Sequence, residues 1–256
     1  MRLDRFLAQT GLGSRREVQK LLKQGRLSLE TQVLTQGSYN LLESQVDQLL
    51  LDGESCHLSM AHYFLFHKPV GVITALEDSE ACVGDFLPAG LLHCHISPVG
   101  RLDKDSSGLL LLCNDGQLNH RLCHPRWHLP KRYEIQYMGE AFGSEDILRF
   151  AEGITLDDGP CRPAVLDLSA AQKAENPPWP ATIVLWEGRN RQIRRMVQSL
   201  GREVLTLHRV AMGPVELETS LAPGQMRKLT AAERQALYEA TGLAPLNAFA
   251  QRQTRC

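Results

Sequence analysis

The sequence contains no apolar run approaching the roughly 20 residues that a membrane-spanning helix needs, and its first residues lack the charged-then-apolar order of a secretory leader. It also contains no Cys-x-x-Cys pair. The seven cysteines, at positions 56, 82, 94, 113, 123, 161 and 256, are odd in number and scattered. That excludes a complete disulfide framework and implies free thiols in a reducing compartment, so the expected location is the cytoplasm and no membrane partner is expected. Neither Gly-x-Gly-x-x-Gly nor Gly-x-x-x-x-Gly-Lys-(Ser/Thr) occurs, and no nucleotide cofactor is expected. Finally, a net charge of -1 over 256 residues leaves bulk charge silent on nucleic acid.

The distribution of charge says more. Between Met1 and Arg26 stand Arg2, Arg5, Arg15, Arg16, Lys20, Lys23 and Arg26 against only Asp4 and Glu17. Between Arg189 and Arg209 stand Arg189, Arg191, Arg194, Arg195, Arg202 and Arg209 against only Glu203. Positive charge clustered on an otherwise neutral chain is the footprint of a phosphate-backbone ligand, although either cluster alone could be a solvated helix face.

Two units are expected. In residues 1–60, Leu3, Phe6 and Leu7 mark one short amphipathic helix. Ser14 and Glu17 form a capping box for a second, whose apolar side is Val18, Leu21 and Leu22 and which ends at Gly25. Arg15, Arg16, Lys20 and Lys23 then fall on the exposed side, and Leu27, Leu29, Val33 and Leu34 suggest short strands. Asp52–His62 is polar, without periodicity, and reads as the linker. In residues 61–242 strands are expected at Tyr63–Phe66, Leu109–Leu112, Tyr133–Tyr137, Ala164–Leu168 and Thr182–Trp186. Helices are expected at Gln117–Cys123, Gln192–Leu200 and Thr230–Thr241, with turns at Asn114–Gly116 and Asp157–Pro160 and a loop at Ala170–Pro180. Many strands with few short helices and no regular strand–helix alternation make this an α+β fold with a mainly antiparallel sheet. Residues 243–256 read as a frayed, disordered tail.

One stretch stands out: Gly100-Arg101-Leu102-Asp103-Lys104-Asp105-Ser106-Ser107-Gly108, running straight into Leu109–Leu112. A polar loop with an Arg and a carboxylate, bracketed by glycines at the edge of a buried strand, can hold its carboxylate rigidly as a nucleophile or base. A plain turn between strands would look the same if this loop stood alone. It does not stand alone. The run resembles the Gly-Arg-Leu-Asp-x-x-(Ser/Thr)-(Ser/Thr)-Gly-Leu motif of RsuA-type pseudouridine synthases. Pro130-Lys131-Arg132-Tyr133 resembles their Lys-x-Tyr element, and Glu187-Gly188-Arg189-Asn190-Arg191-Gln192-Ile193-Arg194-Arg195-Met196 resembles their Glu-Gly-x-x-x-Gln-(Ile/Val)-(Arg/Lys)-Arg-Met element. Lys68-Pro69 matches a further family position, with His67 in place of the family's Asn. In the N-terminal unit, Arg2–Leu7, Gly11, Ser14–Arg16 and Gly25–Leu27 resemble an S4 RNA-binding domain. It departs at Leu27–Thr31, where the family usually reads Val-x-Val-Asn-Gly.

The resemblance implies isomerisation of a uridine in ribosomal RNA: the N1–C1′ bond breaks, the base rotates, and it rejoins through C5. That chemistry implies no cofactor and no metal. It implies Asp103 as nucleophile, attacking either C1′ of the ribose or C6 of the base. Kept ionised in a closed pocket, Asp103 would need a nearby cation, which the resemblance places at Arg194, with Arg101 as the alternative. Tyr133 would stack on the flipped base and assist removal of the C5 proton, with Ile193 packing beneath the base or against Tyr133. RNA contacts are expected from Arg15, Arg16, Lys20, Arg101, Arg126, Lys131, Arg191 and Arg195. Asp105 is expected to bond nearby backbone, as Asp does in turns, in preference to forming a carboxylate pair with Asp103.

His120, His124 and His128 recur every four residues, but Pro125 and Pro130 break the helix that would align them, so an RNA-facing basic and aromatic stretch is the better reading than zinc. His93, Cys94 and His95 read as local packing. The run Asp115–Arg121 with Pro125–His128 resembles small-subunit RNA enzymes more than large-subunit ones. The competing reading is a non-catalytic S4-type RNA-binding assembly factor, which would have no reason to keep Asp103, Tyr133 and Arg194 together. The expected partner is ribosomal RNA or an assembling ribosomal subunit, and a monomer is the default expectation.

Overall fold

The computed structural model describes residues 1–246 apart from residues 57, 92, 93, 128, 172 and 173. In the N-terminal unit, α1 (Leu3–Gln9) and α2 (Arg15–Lys23) pack through Leu3, Phe6, Leu7, Val18 and Leu22, all buried. The capping box forms as expected: Ser14 N–H donates to Glu17 Oε2 at 2.7 Å and Glu17 N–H to Ser14 Oγ at 3.4 Å. Strands β1 (Leu27–Leu29), β2 (Gln32–Val33), β3 (Leu49–Leu51) and β4 (Glu54–Ser55) pair in the order β2-β1-β3-β4. The linker expected at Asp52–His62 is therefore partly a hairpin. Asp52 and Gly53 both take positive φ, +55° and +83°, and close β3 onto β4, the turn that an Asp-Gly pair favours. Met60, further along that stretch, is buried in the same small core.

The second unit is built on a nine-stranded sheet. In chain order its elements are β5 (Tyr63–Lys68), β6 (Ser97–Pro98), β7 (Ser107–Cys113), α3 (Gly116–Cys123), β8 (Lys131–Met138), α4 (Ser144–Glu152), the small hairpin β9 (Thr155–Leu156) and β10 (Gly159–Pro160), β11 (Val165–Asp167), β12 (Trp179–Leu185), α5 (Gln192–Ser199), β13 (Glu203–Met212), β14 (Val215–Glu216), β15 (Met226–Lys228) and α6 (Ala231–Thr241). The sheet runs β11-β12-β8-β13-β7-β5-β15, with β6 on β7 and β14 on β13. Only β7 and β13 pair in parallel, so the mixed, mainly antiparallel α+β architecture is the one observed. The leucine run is continuous because β7 is covered on both faces. Leu110 and Leu112 pack with Tyr133, Ile135 and Phe150, whereas Leu109 and Leu111 pack with Leu118 of α3 and Leu237 of α6.

The unexpected elements include α4, β15 and the ten-residue β13 at the centre of the sheet, besides the two-residue strands β6 and β14. Strand β13 carries Arg209 and His208 among its apolar residues and is bulged between Val204 and Thr206 and between Arg209 and Ala211, which breaks its alternation. The loop expected at Ala170–Pro180 ends earlier, because Trp179 and Pro180 already pair in β12. Asp115, expected in a turn, caps α3 and sits fully buried, its carboxylate accepting from Leu118 N–H at 3.1 Å and Tyr238 O–H at 2.9 Å. The helix with Thr230 and Glu233 as its capping box stands as expected, ending at Gly242. Of the tail at 243–256, residues 247–256 lie outside the described residues.

The two units meet around Gln9, whose carbonyl takes two partners from the second unit. Gln9 O is hydrogen-bonded to the His62 ring at 2.9 Å and accepts from Cys94 Sγ at 3.3 Å. Asn114 seals the same seam, accepting from His62 N–H at 2.8 Å and donating to Met60 O and Cys94 O.

Candidate active site

The Asp103 loop is tied down on all sides. Leu102 N–H donates to Thr74 Oγ1 at 3.1 Å, and the same hydroxyl donates to Leu102 O at 2.6 Å. Gly71 N–H donates to Lys104 O at 2.7 Å, and Ser106 N–H to Asp103 O at 3.0 Å. From beneath, the fully buried Lys68 donates to Ser106 O at 2.7 Å and Pro69 O at 3.0 Å. Burial pulls the Lys68 ammonium down to about 8, against the opposing pull of Asp103 and Asp105. The loop glycines have separate reasons. Gly100 has φ +70°, and Gly108 has φ +108° with a Cβ position only 2.2 Å from Arg209 O, where β7 meets β13 in parallel.

This loop forms one wall of a cavity of about 410 Å³. Tyr133 and Ile193, both buried, belong to its apolar lining together with Leu102, Leu185, Leu207 and Met212, and Asp103, Arg101, Lys131 and Arg191 also line it. The closed pocket expected around Asp103 is not what the fold builds. Its side chain keeps 36% exposure at the cavity rim.

The cation assignment needs correction. Arg191 Nη1 lies 3.9 Å from Asp103 Oδ2 and is the cation paired with it, where the sequence pointed to Arg194 or Arg101. Arg194 instead places Nε 3.2 Å from Asp105 Oδ2 and donates to Val204 O at 2.8 Å and Asp105 O at 3.0 Å. The cause is the start of α5. Arg191 is its N-cap, in left-handed geometry at φ +45°, and reaches across to the loop, while Arg194 one turn on is directed toward β13. Asp105 bonds its own backbone, as expected, and does more. It takes Arg191 at 2.8 Å and Arg194, and these two cations hold its carboxyl below the usual range against the opposing effect of burial.

The second basic run is largely neutralised within the fold. Arg189 and Arg195 both pair with Asp158 at 2.8 Å, Arg202 pairs with Asp146 at 2.9 Å, and Arg209 is 2% exposed inside the sheet. Arg195, one of the residues expected at RNA, is thus paired within the chain. On the N-terminal unit the picture differs. Arg2 and Arg26 are spent on Asp4 and Asp52, but Arg15, Arg16 and Lys20 stand exposed along α2. Arg126 is exposed beside Trp127, which also carries Arg121 over its ring at 5.0 Å. His120 and His124 stack at 5.3 Å, and His128 lies outside the described residues, as does His93; among the described residues no cluster of His, Cys, Asp or Glu is arranged to hold a metal. Among the described residues no helix is long and apolar enough to cross a membrane.

Sequence reasoning passed over Arg209 and the holding role of Asp105. The first was hidden in an apparent surface charge run, because the bulges of β13 mask the strand that buries it.

A pinned carboxylate at the rim of a cavity that also holds Tyr133, beside an N-terminal unit with exposed basic residues, is an arrangement suited to chemistry on a nucleic acid. Comparison with known proteins supplies the class. The RNA pseudouridylate synthase model matches residues 62–199, and the S4 domain model matches residues 1–47. A ribosomal large subunit pseudouridine synthase B of Bacillus subtilis is 35% identical over 90% of this chain and 92% of its own. A ribosomal small subunit pseudouridine synthase A of Pasteurella multocida is 35% identical over 91% of this chain and 97% of its own. A crystal structure of a pseudouridylate synthase superposes with a TM-score of 0.63 at 29% identity, covering 93% of this chain and 99% of that one. The chain belongs to the RNA pseudouridylate synthase family, with an S4 domain at its N-terminus, and is an RNA pseudouridine synthase.

Proposed function

We propose that the protein isomerises a uridine of small-subunit ribosomal RNA in the cytoplasm, as free RNA or in an assembling subunit, with Asp103 as the nucleophile. The observation that carries this is the pinned loop, which presents Asp103 at the cavity rim facing Tyr133 and Ile193, with Arg191 as its paired cation. Tyr133 stacks on the extruded base, a contact worth ~1–3 kcal/mol, and Ile193 closes the apolar wall beside it. Arg191 stands beside Asp103 as its paired cation, and Arg194 acts one step removed, through Asp105. Arg15, Arg16 and Lys20 carry the phosphate backbone, with Arg101, Arg126 and Lys131 nearer the cavity.

The choice of small-subunit RNA rests on the run Asp115–His128, which resembles enzymes of that type. Relatives named for either subunit are equally similar, so the test includes both RNAs. Pseudouridine formation must expel the C5 hydrogen. Release of tritium from C5-labelled uridine in small-subunit transcripts by wild type, and its loss in Asp103→Asn with RNA binding retained, is the expected result. Release from large-subunit transcripts alone would reverse the substrate choice. Turnover by Asp103→Asn would remove Asp103 from its role. Tight binding of both RNAs and of assembling subunits without release would favour a non-catalytic assembly factor.

A further inference from the structure

Arg209 does something the charge count conceals. It sits on the central strand β13 directly across from Tyr133 of β8, and residues opposite one another in an antiparallel pair share a face of the sheet. Lys131, two residues before Tyr133 on β8, shares that face as well. All three line the cavity beside Asp103. Arg209 is 2% exposed, and its Nε–H donates to Leu109 O at 2.7 Å. Its Nη2 is buried with no hydrogen-bond partner among the described residues.

A buried guanidinium donor left unsatisfied is costly, so its place in the fold asks for a compensating acceptor. The carboxylate that bears on Lys131, Glu187, is already engaged by Arg162 N–H at 3.0 Å and Gln192 Nε2 at 2.7 Å. Two cations thus stand on one wall, close enough that Arg209, together with burial, holds the Lys131 ammonium below its ordinary range. The wall is electropositive before any ligand enters.

We infer that Arg209, supported by Lys131, is a catalytic cation that receives a carbonyl oxygen of the extruded uracil and stabilises the negative charge the base acquires when it leaves the ribose. This rests on the proposed reaction at Asp103. In that reaction the N1–C1′ bond breaks with its electron pair on N1, shared through the ring with O2 and O4. An Asp103 carboxylate oxygen forms the bond to C1′. When the rotated base rejoins, the C5=C6 pair forms the C5–C1′ bond and the carboxylate departs with its own pair. Loss of the C5 proton to a base, with N1 taking up a proton in its place, then restores the ring. The charge on the oxygens exists only while the base is free, so a fixed cation there favours the cleaved state over the bound nucleotide. A carbonyl of the base is the acceptor that this position calls for, because the cations lie on the Tyr133 face, where the base stacks.

The test compares wild type, Arg209→Met and Lys131→Met on ribosomal transcripts made with uridine or with 5-fluorouridine. Conversion is followed at saturating enzyme by nuclease digestion and mass spectrometry, with thermal unfolding of each variant alongside; fluorine leaves C5 no proton to lose, so on the fluorinated RNA the nucleoside counted is the one rejoined through C5 with water added across N1=C6. Fluorine at C5 withdraws charge from the departing base and does part of the cation's work. Arg209→Met is expected to slow conversion of uridine about 100-fold with RNA affinity retained, and to recover about ten-fold of that deficit on the fluorinated RNA. An equal deficit on both RNAs would make Arg209 structural and overturn the inference. Should Arg209→Met not fold, Lys131→Met decides by the same comparison: a smaller deficit that shrinks with fluorine, or one that does not. Absence of conversion by wild type on every transcript would instead overturn the proposed reaction, and it shows in the wild-type sample alone.

Discussion

Asp105, two residues beyond Asp103, holds two arginines of α5 at once: Arg191 at 2.8 Å and Arg194 at 3.2 Å. Asp103 shares the first of them at 3.9 Å. In this chain the loop thus carries two carboxylates with different contacts, one at the cavity rim and one bound to both arginines. The left-handed backbone of Arg191, φ +45°, costs of the order of 1–3 kcal/mol and is sustained by this contact and by the loop before α5.

Replacing Asp105 with Asn removes the anchor without removing the arginines. Single-turnover conversion is expected to fall roughly ten-fold to a hundred-fold through misplacement of Arg191. RNA affinity should rise or hold, since two cations are freed for phosphate. A loss of affinity in filter binding, with conversion intact, would contradict this.

Lys68 supplies a pH limit. Its folded value lies at about 8, below the ordinary 10.5. The charge beneath the Asp103 loop is therefore present below about pH 8 and lost as pH rises through it. Between about 8 and 10.5 the unfolded chain binds a proton that the folded chain does not, so this group's stability contribution rises with pH while its electrostatic support of the loop is lost. Conversion rates should decline above pH 8 in wild type and show no such inflection in Lys68→Met, which is also expected to be less stable by about 1–3 kcal/mol because two buried carbonyls lose their donor.

Glu233 sets an acid limit on stability. Arg227 and the Thr230 cap hold its carboxyl down to about 2, against 4.5 ordinarily. Its contribution is complete above about pH 4.5 and is lost as pH falls toward 2. Glu233→Gln should cost about 1–2 kcal/mol at pH 7, allowing for solvent screening, and roughly half of that at pH 3, where the folded carboxyl is still mostly ionised; denaturant titrations at the two pH values measure it.

Two motif glycines should behave oppositely. Gly108→Ala forces a Cβ to 2.2 Å from Arg209 O at φ +108°, so a loss of at least about 3 kcal/mol is expected. A Cβ at Gly188 meets nothing within 4 Å, and Gly188→Ala should stay within about 0.5 kcal/mol of wild type. Equilibrium unfolding of the pair separates the two cases.

Arg15, Arg16 and Lys20 carry no ion pair among the described residues, and replacing all three with Ala should flatten the salt dependence of RNA binding by about 2 in logarithmic slope. An unchanged slope would place the RNA elsewhere on the molecule.

Much was legible in the linear order of residues because it is governed by short-range physics. The caps at Ser14 and Thr230, the amphipathic face of α2, the buried leucines of β7 and the glycine-bracketed Asp103 loop depend on neighbours within a few positions, and each stands where expected. The Asp52–Gly53 hairpin was equally local, but its short flanking strands carry too little alternation to announce themselves. Strand β13 could not be read this way, since its bulges and buried arginine break the period that betrays a strand.

Which charges meet which is a different kind of fact. Composition assigned both basic runs the same meaning, yet one stays exposed on α2 and the other is consumed by Asp105, Asp146 and Asp158 or buried as Arg209. The sequence by itself determined the family, the two-unit organisation and the identity of the loop that bears Asp103. Only the tertiary structure decided that Arg191, not Arg194, faces Asp103, and that Arg209 lies in the cavity wall. Those pairings join residues about 90 to 100 positions apart in the chain, and pairing at that range is set by sheet register and helix placement, not by local pattern.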